Sequence, residues 1–112
     1  MTDKELITLA AKAAGIEIGW DSQGAFLYEP EICALSDAWN PLTDDGDALR
    51  LAVKLKIDVC SEYWNDDESV QAQNDNGDIC VEQKGLDPYA ATRRAIVRAA
   101  AEIESAYDRQ SA

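Results

Sequence analysis

Cysteine side chains are the first candidates for chemistry in this sequence, because a thiolate can act as a nucleophile or as a metal ligand. The three cysteines are Cys33, Cys60 and Cys80, and the chain contains no histidine. Their number is odd and no CxxC pair occurs, so a Cys/His zinc site is excluded and a disulfide framework is disfavoured. Without an evident base to activate them, we interpret them as packing residues. We expect no metal and no cofactor.

Neighbouring carboxylates are the second candidates, since two of them in a buried site can divide the roles of general acid and general base. The pairs Asp44-Asp45 and Asp66-Asp67 have the right residue types. They fall at a predicted helix start and a predicted turn, where water keeps both groups ionised. The sequence also lacks GxGxxG, Walker and GxSxG motifs. We predict that the protein is not an enzyme; a small metal-dependent hydrolase is the catalytic alternative, and it requires an acidic pocket.

The segment 74–78, Asn-Asp-Asn-Gly-Asp, has the composition of a calcium loop. If Gly77 is aligned with the turn glycine of an EF-hand, Ala72 and Gln83 occupy the first and last ligand positions. Both key carboxylates are then missing. Asn76-Gly77 is instead a strong signal for a tight β-hairpin, because both residues tolerate positive φ. We predict a polar hairpin turn here.

The charge of the chain is its strongest compositional feature. Twenty-two acidic and ten basic residues give a net charge of −12 and a pI near 4.1. Residues 1–85 hold 18 acids and 6 bases, whereas residues 86–112 hold four of each. A negative field repels nucleic acids and anionic membranes and attracts basic proteins. We therefore expect a partner with a basic surface, and neither direct nucleic-acid binding nor membrane binding.

The length and hydropathy patterning predict one cytosolic domain, residues 1–112. A chain of 112 residues is the size of a single domain. No apolar run approaches the ~20 residues that span a bilayer. The N-terminal segment carries acidic residues and lacks the pattern of a secretory signal.

The periodicity predicts an α+β fold, in which three helices pack around an antiparallel β-sheet made of N-terminal strands and a three-stranded meander. The helices are predicted at 2–14, 44–56 and 87–107. Thr2 and Asp87 stand where N-caps are needed, and the acids at 44, 45 and 47 suit the first turn of the second helix. The strands are predicted at 16–20, 25–29, 32–35, 57–64, about 70–72 and 79–81.

The same patterns predict which side chains are buried. The second helix should bury Leu49, Ala52, Val53 and Leu55, and the third Tyr89, Ile96, Val97, Ala100 and Ile103. Trp20 and Trp39 should pack against the edge of the hydrophobic core.

Seven residues are predicted to bind a partner. They are the acidic clusters at element ends and one exposed aromatic anchor: Asp44, Asp45, Asp47, Trp64, Asp66, Asp67 and Glu68. Carboxylates on one face can imitate a phosphate backbone and occupy a site meant for nucleic acid. A solvated surface with good helix capping is the alternative for these acids. Arg93, Arg94 and Arg98 are expected to pair with acids of the same chain rather than with a partner.

Two segments carry a resemblance to a known family. WNPLT at 39–43, followed by the helix at 48–55, and DPYAATRRAI at 87–96 resemble small bacteriophage and prophage proteins of the phage ABA sandwich domain family. The opening helix, from Leu6 to Gly15, is also similar to prophage members. The resemblance implies a phage origin and a sheet flanked by helices, and it brings no catalytic residues.

These observations lead to two functional hypotheses. The first is a phage accessory inhibitor, made in the host bacterial cytoplasm, that blocks a nucleic-acid-handling defence complex as anti-CRISPR proteins do. The second is a structural or self-associating phage accessory domain without inhibitory role. In that case a homodimer would form through the flat Ala91, Ala95 and Ala99 face and the arginines.

Overall fold

The computed structural model describes residues 1–29, 34–60 and 68–111 and confirms the α+β class. Three helices and six strands lie in this part of the chain. In order they are α1 (Asp3–Ala14), β1 (Ile18–Asp21), β2 (Gly24–Glu29), β3 (Ala34–Ala38), α2 (Asp45–Leu55), β4 (Asp58–Cys60), β5 (Ser69–Gln73), β6 (Ile79–Gln83) and α3 (Pro88–Ser111). Residues 32–33 and 61–64 of the predicted strands lie outside the described residues.

The described strands form two antiparallel sheets of three strands each, where the sequence predicted one sheet. The N-terminal sheet has the order β1-β2-β3 and the C-terminal sheet the order β4-β5-β6. Within the described residues each strand pairs only with its neighbours along the chain, and α2 lies between the two sets of strands. Pairing between strands that are consecutive in the chain therefore produces two separate sheets.

Short-range signals place the helix ends as predicted. Thr2 Oγ1 accepts a hydrogen bond from the backbone N–H of Glu5 (3.1 Å), and Asp87 Oδ1 accepts one from that of Ala90 (3.0 Å). These side chains satisfy N–H groups that have no partner within the first helical turn. Gly15 ends α1 in the left-handed region with φ 70°, and Lys56 ends α2 there with φ 56°.

Helix α3 is the centre of the fold and contacts α1, α2, β5 and β6. Its residues Ala95, Val97, Ala99 and Ala100 are completely buried. Small side chains allow neighbouring elements to approach α3 closely. Tyr89 was predicted to belong to this buried stripe, but it is 71% exposed because it lies in the first turn, ahead of the packed part of the helix.

The buried face of α2 is rotated from the predicted one. Leu49 and Val53 were predicted to be buried, and they are 64% and 72% exposed. The residues that face the core are Ala48, Leu51 and Ala52, with Leu55 packed against it. These four positions are spaced i, i+3, i+4 and i+7, which is also a helical stripe. The sequence of α2 contains two overlapping apolar stripes, and in the folded protein the stripe that includes Leu51 is the buried one.

Asn74 joins the β5–β6 hairpin to α3. Its side chain is buried, and Oδ1 accepts hydrogen bonds from the N–H groups of Asn76 and Asp78, both at 3.0 Å. Its Nδ2 donates to the carbonyl oxygen of Ala99 at 3.0 Å. The predicted hairpin is confirmed, with Gly77 at φ 92°. Asn74 therefore fixes both the turn and its position on the helix.

Candidate partner-binding surfaces

The predicted acids at the start of α2 have three different environments. Asp44 is the N-cap, and its Oδ2 accepts from the backbone N–H of Asp47 at 2.8 Å. Its side chain is 58% exposed, and Arg50 approaches it at 3.9 Å. Asp44 therefore caps the helix and still presents a carboxylate to solvent.

Asp47 is turned inward. Its side chain is 11% exposed. Oδ2 accepts from the backbone N–H of Asn40 at 2.9 Å, and Oδ1 accepts from Arg50 Nη2 at 2.8 Å. The carboxylate thereby ties the loop before α2 to the helix. It has little surface to offer to a partner.

Asp45 forms an ion pair with α3. Its Oδ1 lies 2.6 Å from Arg93 Nη1, and Arg93 Nε also donates to the carbonyl oxygen of Leu42 at 2.8 Å. The Arg93 side chain is 16% exposed and that of Asp45 is 74% exposed. Arg93 clamps the start of α2 to α3, and the outer part of Asp45 faces solvent.

Glu68 is the one remaining predicted residue that lies in the described part of the chain. Trp64, Asp66 and Asp67 lie outside the described residues. Glu68 is exposed in the turn before β5, where its carbonyl oxygen accepts from the N–H of Lys84 at 2.7 Å. The partner-binding role of all seven stays a prediction.

The arginines of α3 pair with the protein's own acids, as predicted. Arg94 Nη1 lies 3.0 Å from Asp3 Oδ1, and Arg98 Nη1 pairs with Glu82 and donates to the carbonyl oxygen of Val81 at 3.0 Å. Six basic side chains take part in ion pairs within the described residues: Lys12, Arg50, Arg93, Arg94, Arg98 and Arg109.

The alanine face proposed for self-association is buried inside the protein. Ala91, Ala95 and Ala99 are 8%, 0% and 0% exposed. Because they pack in the chain's own core, this face is not available to a second copy.

A continuous acidic stretch is the feature that the sequence analysis missed. Residues 13–49 contain eight acidic and no basic side chains. They include the whole N-terminal sheet and the first turns of α2. The charge summed over residues 1–85 does not show this stretch. It is evident from the distance in sequence between Lys12 and Arg50, which are consecutive basic residues.

The N-terminal sheet has a core-packed face and an acidic face. Ile18 and Trp20 pack against the core, whereas the exposed Glu17 and Asp21 have the opposite parity along the strand. Successive side chains alternate between faces, so both carboxylates lie on the side away from the core. Phe26, which is opposite Gly19 in the register, lies on that same side. This face therefore combines carboxylates with an aromatic ring.

An apolar groove lies between α2, β4 and the start of α3. It has a volume of about 370 Å³, and its lining is largely apolar. The lining residues are Asp45, Ala48, Leu49, Val59, Tyr89, Thr92, Arg93 and Ile96. Exposed apolar side chains are common singly, but several around one groove mark an interaction site.

The two cysteines in the described part of the chain, Cys60 and Cys80, differ in environment. Cys80 is buried, as expected for a packing residue, and burial raises the pKa of its thiol while the nearby Arg98 lowers it. Cys60 is exposed, so the packing interpretation is wrong for it. It lies on the edge strand β4, on the face turned away from the helices. Cys33 lies outside the described residues.

Neither a metal site nor a membrane span is found in the part of the chain that the structure describes. No group of three or more Cys, Asp or Glu side chains is arranged there to hold a metal ion. No helix there combines the length and the apolar character needed to cross a bilayer.

Comparison with known proteins gives no relative. No protein-family model, curated protein or solved structure matches this chain.

Proposed function

We propose that this protein acts by binding another protein that presents a basic surface. The observation that carries the proposal is the excess of carboxylates over internal partners. The chain contains twenty-two acidic and ten basic residues, so one-to-one pairing within the chain leaves twelve carboxylates unneutralised. A basic partner would neutralise this charge and be drawn to it before contact.

The N-terminal sheet and the start of α2 are the best candidates for the negative surface. Their sequence, residues 13–49, contributes eight negative charges without an intervening base. Glu17 and Asp21 share one face, and Asp44 and Asp45 keep exposed carboxylates at the helix start. Arg50 and Arg93 pair with carboxylates at the start of α2, and Lys4 lies 5.1 Å from the Trp20 ring centroid.

The more specific proposal is inhibition of a host nucleic-acid-handling complex by a phage-encoded protein. Its support is the resemblance of residues 39–55 and 87–96 to phage proteins, together with the sign of the charge. Carboxylates that enter a groove built for phosphates release the same counterions that nucleic acid would release. In this mode the exposed Asp44 and Asp45 suit contact better than Asp47 does.

Affinity capture with charge-matched variants tests the proposal. One variant, Glu17→Gln with Asp21→Asn and Asp37→Asn, removes three charges from the acidic stretch. A control variant, Glu5→Gln with Asp58→Asn and Asp75→Asn, removes three exposed charges elsewhere. We expect the wild type and the control to retain a discrete basic protein from bacterial lysate, and the first variant to lose it.

Two results would contradict the proposal in different ways. If the wild type retains no basic protein, binding to such a partner is wrong. If both variants retain it equally, the negative surface lies elsewhere. Retention should fall steeply as salt rises, because exposed charges are screened within about 8 Å at physiological ionic strength.

A further inference from the structure

The groove between α2, β4 and α3 joins apolar side chains from three elements. Leu49 belongs to α2, Val59 to β4 and Tyr89 to α3, and they are 64%, 42% and 71% exposed. Ile96, which is 5% exposed, also lines the groove and belongs to the core. An apolar side chain that entered the groove would therefore contact the core of the protein directly.

The exposed apolar surface continues along α2 beyond the groove. Val53 is 72% exposed and follows Leu49 by four residues, so both lie on one side of the helix. Tyr89 adds a large side chain of the kind that dominates binding energy at protein interfaces. A surface of this kind, surrounded by polar residues, is typical of a docking site.

Exposed carboxylates lie in or next in sequence to the lining of the groove. The exposed N-cap residues Asp44 and Asp87 stand close in sequence to lining residues, Asp44 directly before Asp45 and Asp87 two residues before Tyr89. Asp45 lines the groove itself, with its side chain 74% exposed. Among the described residues of the lining, Arg93 is the only basic one, and it is 16% exposed and already paired with Asp45. An occupant of the groove therefore meets the exposed carboxylate of Asp45.

We infer that the groove receives an apolar side chain from a segment of a partner protein, and that lysine or arginine residues flank that side chain. The inference rests on the proposed function, because it assigns the apolar anchor of the same basic partner. The charge complementarity selects this occupant over a second copy of the chain. Two copies of charge −12 repel each other, and each would bring the same acidic rim to the contact.

An amide NMR titration of the full chain tests the inference. The probe is a synthetic amphipathic helical peptide with leucines on one face and lysines on the other. We expect amide shift changes at Ala48, Leu49, Val59, Tyr89 and Ile96. A scrambled peptide of equal charge should bind more weakly, and a peptide with glutamate in place of lysine should not bind.

Variants of the groove separate docking from general charge attraction. Leu49→Ser and Tyr89→Ser should each weaken binding of the Leu/Lys peptide by roughly five- to thirty-fold, as expected for loss of one partly exposed large apolar side chain. Val81→Ser on β6 is the matched control, since Val81 is 42% exposed and does not line the groove. It should leave the affinity unchanged. Urea unfolding of each variant verifies that the fold is intact.

The outcomes distinguish this inference from the proposed function. If the Leu/Lys peptide binds but shifts only the N-terminal sheet, or if Leu49→Ser and Val81→Ser bind equally, the groove assignment is overturned while attraction to basic partners stands. If neither basic peptide binds, the proposed function fails as well. If sedimentation shows a dimer at micromolar concentration that Leu49→Ser dissolves, the occupant is a second copy and the inference is wrong.

Discussion

The substitution Asp47→Ala tests the structural reading of the predicted acidic cluster. Sequence grouped Asp44, Asp45 and Asp47 as equivalent partner-binding carboxylates, whereas the structure gives Asp47 an internal role. Its Oδ2 accepts from the backbone N–H of Asn40, and its Oδ1 accepts from Arg50. Removing the carboxylate leaves a part-buried N–H group without this acceptor.

The magnitude follows from the two hydrogen bonds. A bond to a charged acceptor contributes about 1.5–3 kcal/mol, and the Asn40 bond is part-buried. The Arg50 side chain is 73% exposed, so solvent screening reduces that pair to about 0–1 kcal/mol. We expect the free energy of unfolding to fall by about 1.5–4 kcal/mol. The total for a 112-residue domain is about 6–17 kcal/mol, so the variant should still fold.

Urea unfolding followed by tryptophan fluorescence measures this loss. Trp39, adjacent to Asn40, is 4% exposed and reports on the same loop. Asp58→Ala removes an exposed carboxylate and should stay within about 0.5 kcal/mol of wild type. Asp47→Asn keeps an oxygen that can accept from Asn40 and should lie between the two. Coincident unfolding curves for Asp47→Ala and Asp58→Ala would refute the internal role.

Four further predictions concern single residues. Lys56→Gly should raise the free energy of unfolding by about 0.5–1 kcal/mol, because glycine adopts φ 56° without strain. Thermal melting measures this gain, and an unchanged or lower Tm would contradict the prediction. Asn74→Ala should lower the free energy of unfolding by about 2–4 kcal/mol in urea titration, since four hydrogen bonds of a buried side chain are lost. Arg93→Ala should lower the free energy of unfolding by about 1–3 kcal/mol. Arg93→Lys should recover little of this stability, because lysine has no planar group that can contact a carbonyl and a carboxylate together. Full recovery in the lysine variant would refute this geometry. Cys60 should react with a thiol reagent at pH 8 well before Cys80, as peptide mapping would show, because Cys80 is buried and its pKa is raised. Stability that the protonated Cys80 contributes is complete below the usual thiol pKa of 9.0 and is lost as pH rises through the raised value.

Local signals predicted most of the secondary structure. The caps Thr2 and Asp87 and the Asn76-Gly77 hairpin turn were predicted correctly, because each of these signals involves residues only a few positions apart. The strand pairing was less predictable. One sheet was expected and two are described, since sequence alone does not tell whether β3 and β4 pair across an intervening helix.

Long-range contacts explain what the sequence could not predict about the candidate site. Internal pairing of the α3 arginines was expected, but their partners were not: Arg93 meets Asp45 and Arg94 meets Asp3, across 48 and 91 residues. Whether Leu49 is buried depends on which of two overlapping helical stripes faces α3. Both stripes satisfy the same periodicity, so only packing could decide, and the apolar groove was hidden for that reason.

The acidic stretch also determines how a complex of this protein can be mapped covalently. Residues 13–49 contain no lysine, so reagents that join primary amines cannot attach anywhere along the N-terminal sheet. Carbodiimide chemistry, which couples a carboxylate to a lysine of the other protein, can attach at every acid in the stretch that solvent reaches. Trypsin cuts after Lys12 and Arg50 and at no site between them, so all such couplings would be recovered on one fragment.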